Sequence, residues 1–293
     1  MKKIAIGLIA VVVVVLLFVA AKSSQENSSQ TDKAEIITRL QDAHGLAVDR
    51  EDPSRVYIAT HTGLLAMIDD NEFVRVSEAR DDYMGFSAHP TDENVFYTSG
   101  HPTKGGNIGF QKSTDGGKTW TQVSDGGNGP VDFHAMTVSQ TNPSIIYGTY
   151  QGQLQRSINE GKDWELVQSA LTGIYTLTTS PDNENVVYAG TANGLQASDD
   201  KGNTWESLGL DGTISSVAVN PDNSKKIVAY GIDAGLMETS DGGKSWQVVD
   251  GYNDDLIMYI SYDPQNTDVI YAINQSLEIY KSTDGATTWG KVR

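Results

Sequence analysis

The chain has 293 residues, 38% of them hydrophobic, and sets 21 basic against 38 acidic residues for a formal charge of −17. That balance excludes a nucleic acid or an anionic membrane surface as partner, since both need a basic footprint, and it favours a cationic or neutral one. Cysteine is absent, which excludes a disulfide framework, a thiol nucleophile, a thiolate metal site and a lipid-bearing cysteine.

The first element is an export segment over residues 1–21. Lys2 and Lys3 precede an unbroken run of apolar or small residues from Ile4 to Ala21. The run suits a cleaved signal peptide, with Val19 and Ala21 ahead of the cut, and equally an uncleaved anchor, since it is just long enough to span a bilayer. In both cases the positive-inside rule puts the rest of the chain outside the cytoplasm, and the membrane is met only through this segment. Residues 22–34, rich in Ser, Gln and Asn, read as a flexible linker.

From residue 35 to 293 the chain repeats. All five tryptophans close one turn motif, and successive tryptophans lie 44, 41, 41 and 43 residues apart. The copies are "KSTDGGKTW" ending at Trp120, "RSINEGKDW" at Trp164, "ASDDKGNTW" at Trp205, "ETSDGGKSW" at Trp246 and "KSTDGATTW" at Trp289. Each unit opens with an alternating run such as "HAMTVS" or "SSVAVN", passes a turn such as "PDNEN", and continues through a second apolar run such as "VVYAG". A third run ends at the tryptophan motif and a fourth begins there. Four short strands with period-2 alternation form one antiparallel sheet, which cannot bury both faces alone but can do so in a ring of its own kind. Residues 44–76 form a further unit with Phe73 in the tryptophan position, so the expected fold is all-β, a six-bladed β-propeller. "ITRLQDA" at 37–43 matches "WELVQSA" at 164–170 and reads as a fourth strand without a blade. It is expected to close the ring on the last blade, where "WGKVR" offers a competing strand.

The turn motif resembles the BNR or Asp-box repeat, S-x-D-x-G-x-x-W, of sialidases, sortilin-type receptors and photosystem II assembly-factor propellers. Ser113, Asp115, Gly117 and Trp120 fit it fully, as do Ser198, Asp200, Gly202 and Trp205. Ser157, Asn159, Gly161 and Trp164 depart at Asn159; Thr239, Asp241, Gly243 and Trp246 at Thr239; Ser282, Asp284 and Trp289 at Ala286. Together with "HGLAVD", "MGFSAHP" and "GPVDFHAM", these stretches are similar to a bacterial group of exported propellers labelled glycosyl hydrolases. The box itself is structural. Its Asp and Ser side chains accept from turn amides, Gly supplies positive φ and the indole packs beneath. It lacks the alternating oxygen ligands of a calcium loop.

Strand direction sorts the polar residues by face. His44 and His134 stand where first strands begin, and His61 and His101 lie in turns between second and third strands, on the same face; His89 belongs to the other. With Tyr83, Met84, Asp132 and Phe133 they form the candidate ligand site, and His44, His61, His101 and His134 are the candidate ligands of a divalent metal such as zinc or copper.

The sialidase resemblance implies several arginines converging on the substrate carboxylate. Arg50, Arg55 and Arg156 fall on the far face and only Arg80 is well placed, so that chemistry is rejected. The expected function is that of an extracytoplasmic, monomeric binding or scaffold module for an extracellular ligand, a glycan or a protein partner. The alternative is a glycoside hydrolase, not a sialidase, using two of Asp81, Asp82, Asp132, Asp211, Asp254 and Asp255.

Overall fold

The computed structural model describes residues 35–293; the export segment at 1–21 and the linker at 22–34 lie outside the described residues. Each repeat folds as one antiparallel sheet whose four strands are neighbours in both sequence and space, and there are six such sheets. The innermost strands are Gly45–Val48, Asp82–Ala88, Ala135–Val138, Ile174–Thr179, Ile214–Asn220 and Ile257–Tyr262. They pack in a ring, each against the next and the last against the first. The fold is a six-bladed β-propeller around a central channel of about 400 Å³.

The core is divided among six apolar clusters, one between each pair of adjacent blades. The second strand of each blade explains why. Successive residues point to opposite faces of a strand, and both faces here meet another blade. Phe96 packs toward the first blade while Tyr97, beside it, packs toward the third. Ile146 and Tyr147 divide in the same way. This is the origin of the continuous apolar run at each second strand.

In each turn motif one hydroxyl and one carboxyl or amide carry the loop. The Ser113 hydroxyl donates to Asp115 Oδ1 (2.8 Å) and accepts from the Gly117 amide (2.9 Å). Asp115 accepts from the Thr119 amide (3.0 Å) and hydroxyl (2.5 Å). The indole Nε1 of Trp120, Trp164, Trp205 and Trp289 donates to the carbonyl of the third motif residue at 2.9–3.1 Å, whereas that of Trp246 reaches Leu208 O of the preceding blade. The indoles are half-buried and lean on the preceding blade. They clasp the rim of the inter-blade cores instead of filling them. Phe73, fully buried, does the corresponding work between the first and last blades.

The ring closes differently from the sequence expectation. Ile36–Ile37 pairs with Val74 and Phe73, the outer strand of the first blade, and extends that sheet to five strands. The last blade takes its fourth strand from Gly290–Lys291. Among the described residues no strand crosses the seam. It is bridged by the apolar cluster containing Leu40, Phe73, Tyr271 and Ile279, and by Asp70, which accepts from Tyr271 Oη (2.8 Å) and Lys281 Nζ (2.7 Å). Arg293 lies over the Phe73 ring at 5.4 Å and donates to Thr38 O at 3.1 Å.

Candidate functional site

At one end of the channel, the beginnings of the first strands and the tips of the second-to-third-strand turns converge. The segment Gln41 to His44 leads into the first blade, and its Ala43 is buried while the His44 amide donates to Ala59 O (2.9 Å). His61 sits in the tight turn between Thr60 and Gly63, whose own bonds are closed by the Thr60 hydroxyl on Gly63 O (2.8 Å). The His61 amide donates to Asp42 Oδ1 at 2.6 Å, which ties that turn to the chain before His44. The two imidazoles lie with ring centroids 4.2 Å apart.

The second blade brings Asp82 and His101, which are cross-strand partners. Gly100 makes their approach feasible. It has φ +135°, and a side chain there would overlap the Asp82 carbonyl, so only glycine lets the strand end turn His101 toward the mouth. The third blade supplies Asp132 and His134. Between them Phe133 points inward, its amide donating to Ser99 Oγ (2.7 Å) and its ring 4.9 Å from that of Trp164. The alternation Asp132–Phe133–His134 thus presents two polar side chains on one side by anchoring an aromatic on the other.

The resulting cluster has two halves. In one, His44 Nε2 is 3.6 Å from Asp42 Oδ1, His61 Nδ1 is 3.5 Å from Asp42 Oδ2, and His61 Nε2 is 3.8 Å from Asp82 Oδ2. In the other, His101 Nε2 (3.0 Å) and His134 Nε2 (3.1 Å) both bind Asp132 Oδ2. His101 Nδ1 meets Gly106 O at 2.9 Å, so the ring is held between that carbonyl and the Asp132 carboxylate. The Gly-rich stretch 104–109 is therefore a turn that orients His101.

The electrostatics follow this division. Burial, reinforced by the neighbouring His61, pushes the His44 imidazole down to about 4 despite nearby Asp42. His134 is raised, chiefly by its hydrogen bond to Asp132. Burial works to raise Asp132, but the hydrogen bond from His134 and the charges of His134 and His101 outweigh it and hold the carboxyl low. Asp82 is raised by burial against the pull of His61 and His101. Three buried polar atoms here lack a hydrogen-bond partner: His44 Nε2, Asp82 Oδ1 and Asp132 Oδ1.

The expected residues fall into place unevenly. All four histidines reach one mouth, but they divide between two carboxylates instead of forming one four-histidine metal site. Tyr83 and Phe133 are fully buried and Met84 nearly so. They belong to or support the inter-blade cores and offer no surface to a ligand, because in an alternating strand start the aromatic turns inward. Arg80 is engaged with Glu35 (2.6 Å), which also holds Arg75. Asp81 accepts from the Thr103 amide (3.1 Å), Asp254 from Tyr280, and Asp255 from Ser276 (2.7 Å). Of the six candidate carboxylates, Asp82 and Asp132 join the histidines. Asp42 was absent from the expected set; its place two residues before His44 was the signal, obscured because "ITRLQDA" reads as strand. His89 lies at the opposite end, where Nδ1 accepts from the Thr91 (3.2 Å) and Asp92 (3.1 Å) amides and caps a turn.

No family profile matches the chain, and no curated protein does. Solved structures do. The GH74 xyloglucanase from Xanthomonas campestris aligns over 85% of this chain and 45% of its own, with TM-score 0.60 and 16% identity. An ancestral GH74 enzyme gives 0.58 at 16% identity over 84% of this chain and 37% of its own. YCF48 from Cyanidioschyzon merolae aligns over 88% of this chain and 85% of its own, with TM-score 0.55 and 16% identity, and YCF48 bound to D1 peptide matches equally well. The chain spans less than half the length of those two GH74 enzymes. At such identity the likeness is one of architecture, and what these proteins share with this chain is the β-propeller.

Proposed function

We propose that the chain is an exported, non-catalytic binding module that takes its ligand on the histidine-bearing face, over the mouth of the channel. One observation carries the reading: four histidines and three carboxylates from three blades are gathered there with three buried polar atoms left unpartnered. Buried polar groups are ordinarily paired, and several left open together at a channel mouth are provision for an incoming group. The acidic chain favours a cationic or neutral ligand, a glycan or a protein segment. The export segment delivers the propeller outside the cytoplasm, released near Ala21 or held by the anchor, where it acts as a monomer. The solved YCF48 bound to D1 peptide, similar over nearly its whole length, supports a peptide-binding propeller as precedent.

A hydrolase is the second reading, favoured by Asp82 and Asp132. Their carboxyls are pushed in opposite directions, as an acid and its partner must be. Against it, Asp132 Oδ2 is taken by two imidazoles. A thermal-shift screen of oligosaccharides and peptides separates the two. Binding is expected that is lost in His101→Ala/His134→Ala, kept in His89→Ala, and unaccompanied by cleavage. Release of reducing sugar that stops in Asp82→Asn would establish the hydrolase instead.

A further inference from the structure

We propose that Asp42, His44 and His61 form a site for one divalent transition-metal ion, an inference that rests on reading this face as the binding face and names its ligand. One donor atom from each of the three residues lies within 4.8 Å of the other two. The separations of 3.5 and 3.6 Å between the imidazole nitrogens and the Asp42 oxygens are too long for hydrogen bonds. One runs to Asp42 Oδ1 and the other to Oδ2, and each is close to the donor–donor separation, about 3.3 Å, around a tetrahedral metal with bonds of about 2.0–2.1 Å. A cation at the centre would satisfy the three donors that fail to satisfy one another.

Two further observations point to a ligand there. His44 Nε2 is buried and has no hydrogen-bond partner, a costly state for an imidazole nitrogen unless something is bound to it. The other nitrogen of His61 faces Asp82 Oδ2 at 3.8 Å. That separation is too long for a hydrogen bond as it stands, but a small rotation of the ring onto a metal would bring Asp82 within reach behind it, and a carboxylate so placed fixes a ligating histidine and raises its basicity. The carboxylate of Asp42 is itself oriented by the His61 amide.

The neighbouring half of the cluster shows the contrast. His101 and His134 make true hydrogen bonds to one oxygen of Asp132 and need no cation. Two imidazoles and one carboxylate suit zinc, copper or nickel and not calcium or magnesium. With three protein ligands, a fourth position stays available to water or to an atom of a second ligand, and His61, half exposed, leaves it accessible from outside.

The test is metal binding by the full chain, carrying no histidine tag and stripped with chelator. Titration with zinc is expected to show one ion per chain. Cobalt(II) should give the visible absorption of a tetrahedral site. His44→Ala and His61→Ala should each weaken binding by about tenfold or more, Asp82→Asn by about tenfold, while His101→Ala and His134→Ala keep the stoichiometry. Circular-dichroism melts establish that each variant is folded, with His44→Gln replacing any alanine variant that is not. The absence of stoichiometric zinc and cobalt uptake overturns the proposal, as does uptake that survives in a folded His44→Ala/His61→Ala variant. Its failure is separable from that of the wider reading. An oligosaccharide or peptide that binds through His101 and His134 in a chain that takes up neither zinc nor cobalt leaves the face functional and the metal site refuted; stoichiometric zinc uptake with no oligosaccharide or peptide bound upholds the metal site and refutes only the wider reading.

Discussion

Asn159 Nδ2 donates to Asp163 Oδ2 at 2.8 Å, reversing the polarity of the same contact in the other turn motifs. There the second motif position is Asp and the residue four later is a hydroxyl, as in Thr119→Asp115 (2.5 Å), Thr204→Asp200 (2.7 Å) and Thr288→Asp284 (2.6 Å). The departure at Asn159 is thus half of a compensated exchange, with acceptor and donor swapped together.

Asn159→Asp alone places two carboxylates in contact and should cost about 1 kcal/mol. Asn159→Asp/Asp163→Thr, which restores the common polarity, should recover most of that. Urea melts of the two singles and the double give the coupling directly; additive effects would deny the exchange.

Gly161 has φ +79°, and a Cβ there would overlap the Phe110 ring. Gly161→Ala should destabilise by about 2–4 kcal/mol, combining left-handed strain with overpacking. The last blade carries Ala286 at the same position with φ +81°, fully buried. There the methyl group has a place in the core, so Ala286→Gly trades strain for lost contact and should shift stability by less than about 1 kcal/mol. Thermal melts of the pair test the asymmetry.

Trp205→Ala should cost about 2–3 kcal/mol, below the range for a fully buried aromatic, because the indole is only half-buried and its bond to Gly202 O (2.9 Å) is at the rim. A chemical melt within error of wild type would deny the clasp.

The two halves of the histidine cluster should respond to pH in opposite senses. For His44, the folded value of about 4 lies below the ordinary 6.5, so the unfolded chain binds the extra proton and stability falls as pH drops from about 6.5 to 4. For His134 the folded value is raised; its contribution is full below 6.5 and is lost as pH climbs through the raised value. NMR titration of the imidazole protons in chelator should find His44 neutral at pH 5 and His134 half-titrated above 6.5. Asp132→Asn should bring the His134 midpoint down.

The propeller was legible because its signals are local. Each motif needs a hydroxyl, an Asp, a turn glycine and an indole at fixed offsets, and spacing alone placed Phe73 in the missing indole position. What escaped was pairing at a distance. Ile36–Ile37 has the character of an outer strand, but nothing in those residues says whether it joins Phe73 and Val74 or the last blade. The face of each histidine followed from strand direction, whereas the carboxylates shared between blades did not: His61 faces Asp82 of the second blade and His101 reaches Asp132 of the third, and no local spacing links those residues. Tyr83 and Phe133 were misjudged for a related reason: position near a mouth does not tell inward from outward, and alternation with Asp82 and with Asp132 and His134 turns them in.

The seam between the first and last blades has a consequence for how the chain can be connected. Each blade is complete in its own stretch of sequence, and the junction that closes the circle uses the same kind of apolar contact as the other five, with Asp70 as its polar latch. Joining Arg293 to Glu35 through a short linker and reopening the chain between two other blades should therefore preserve the structure, since no strand has to be handed from one terminus to the other. A propeller locked by a borrowed strand would not survive that cut. Here every sheet draws its strands from one stretch of sequence, so such a cut between blades leaves each sheet whole.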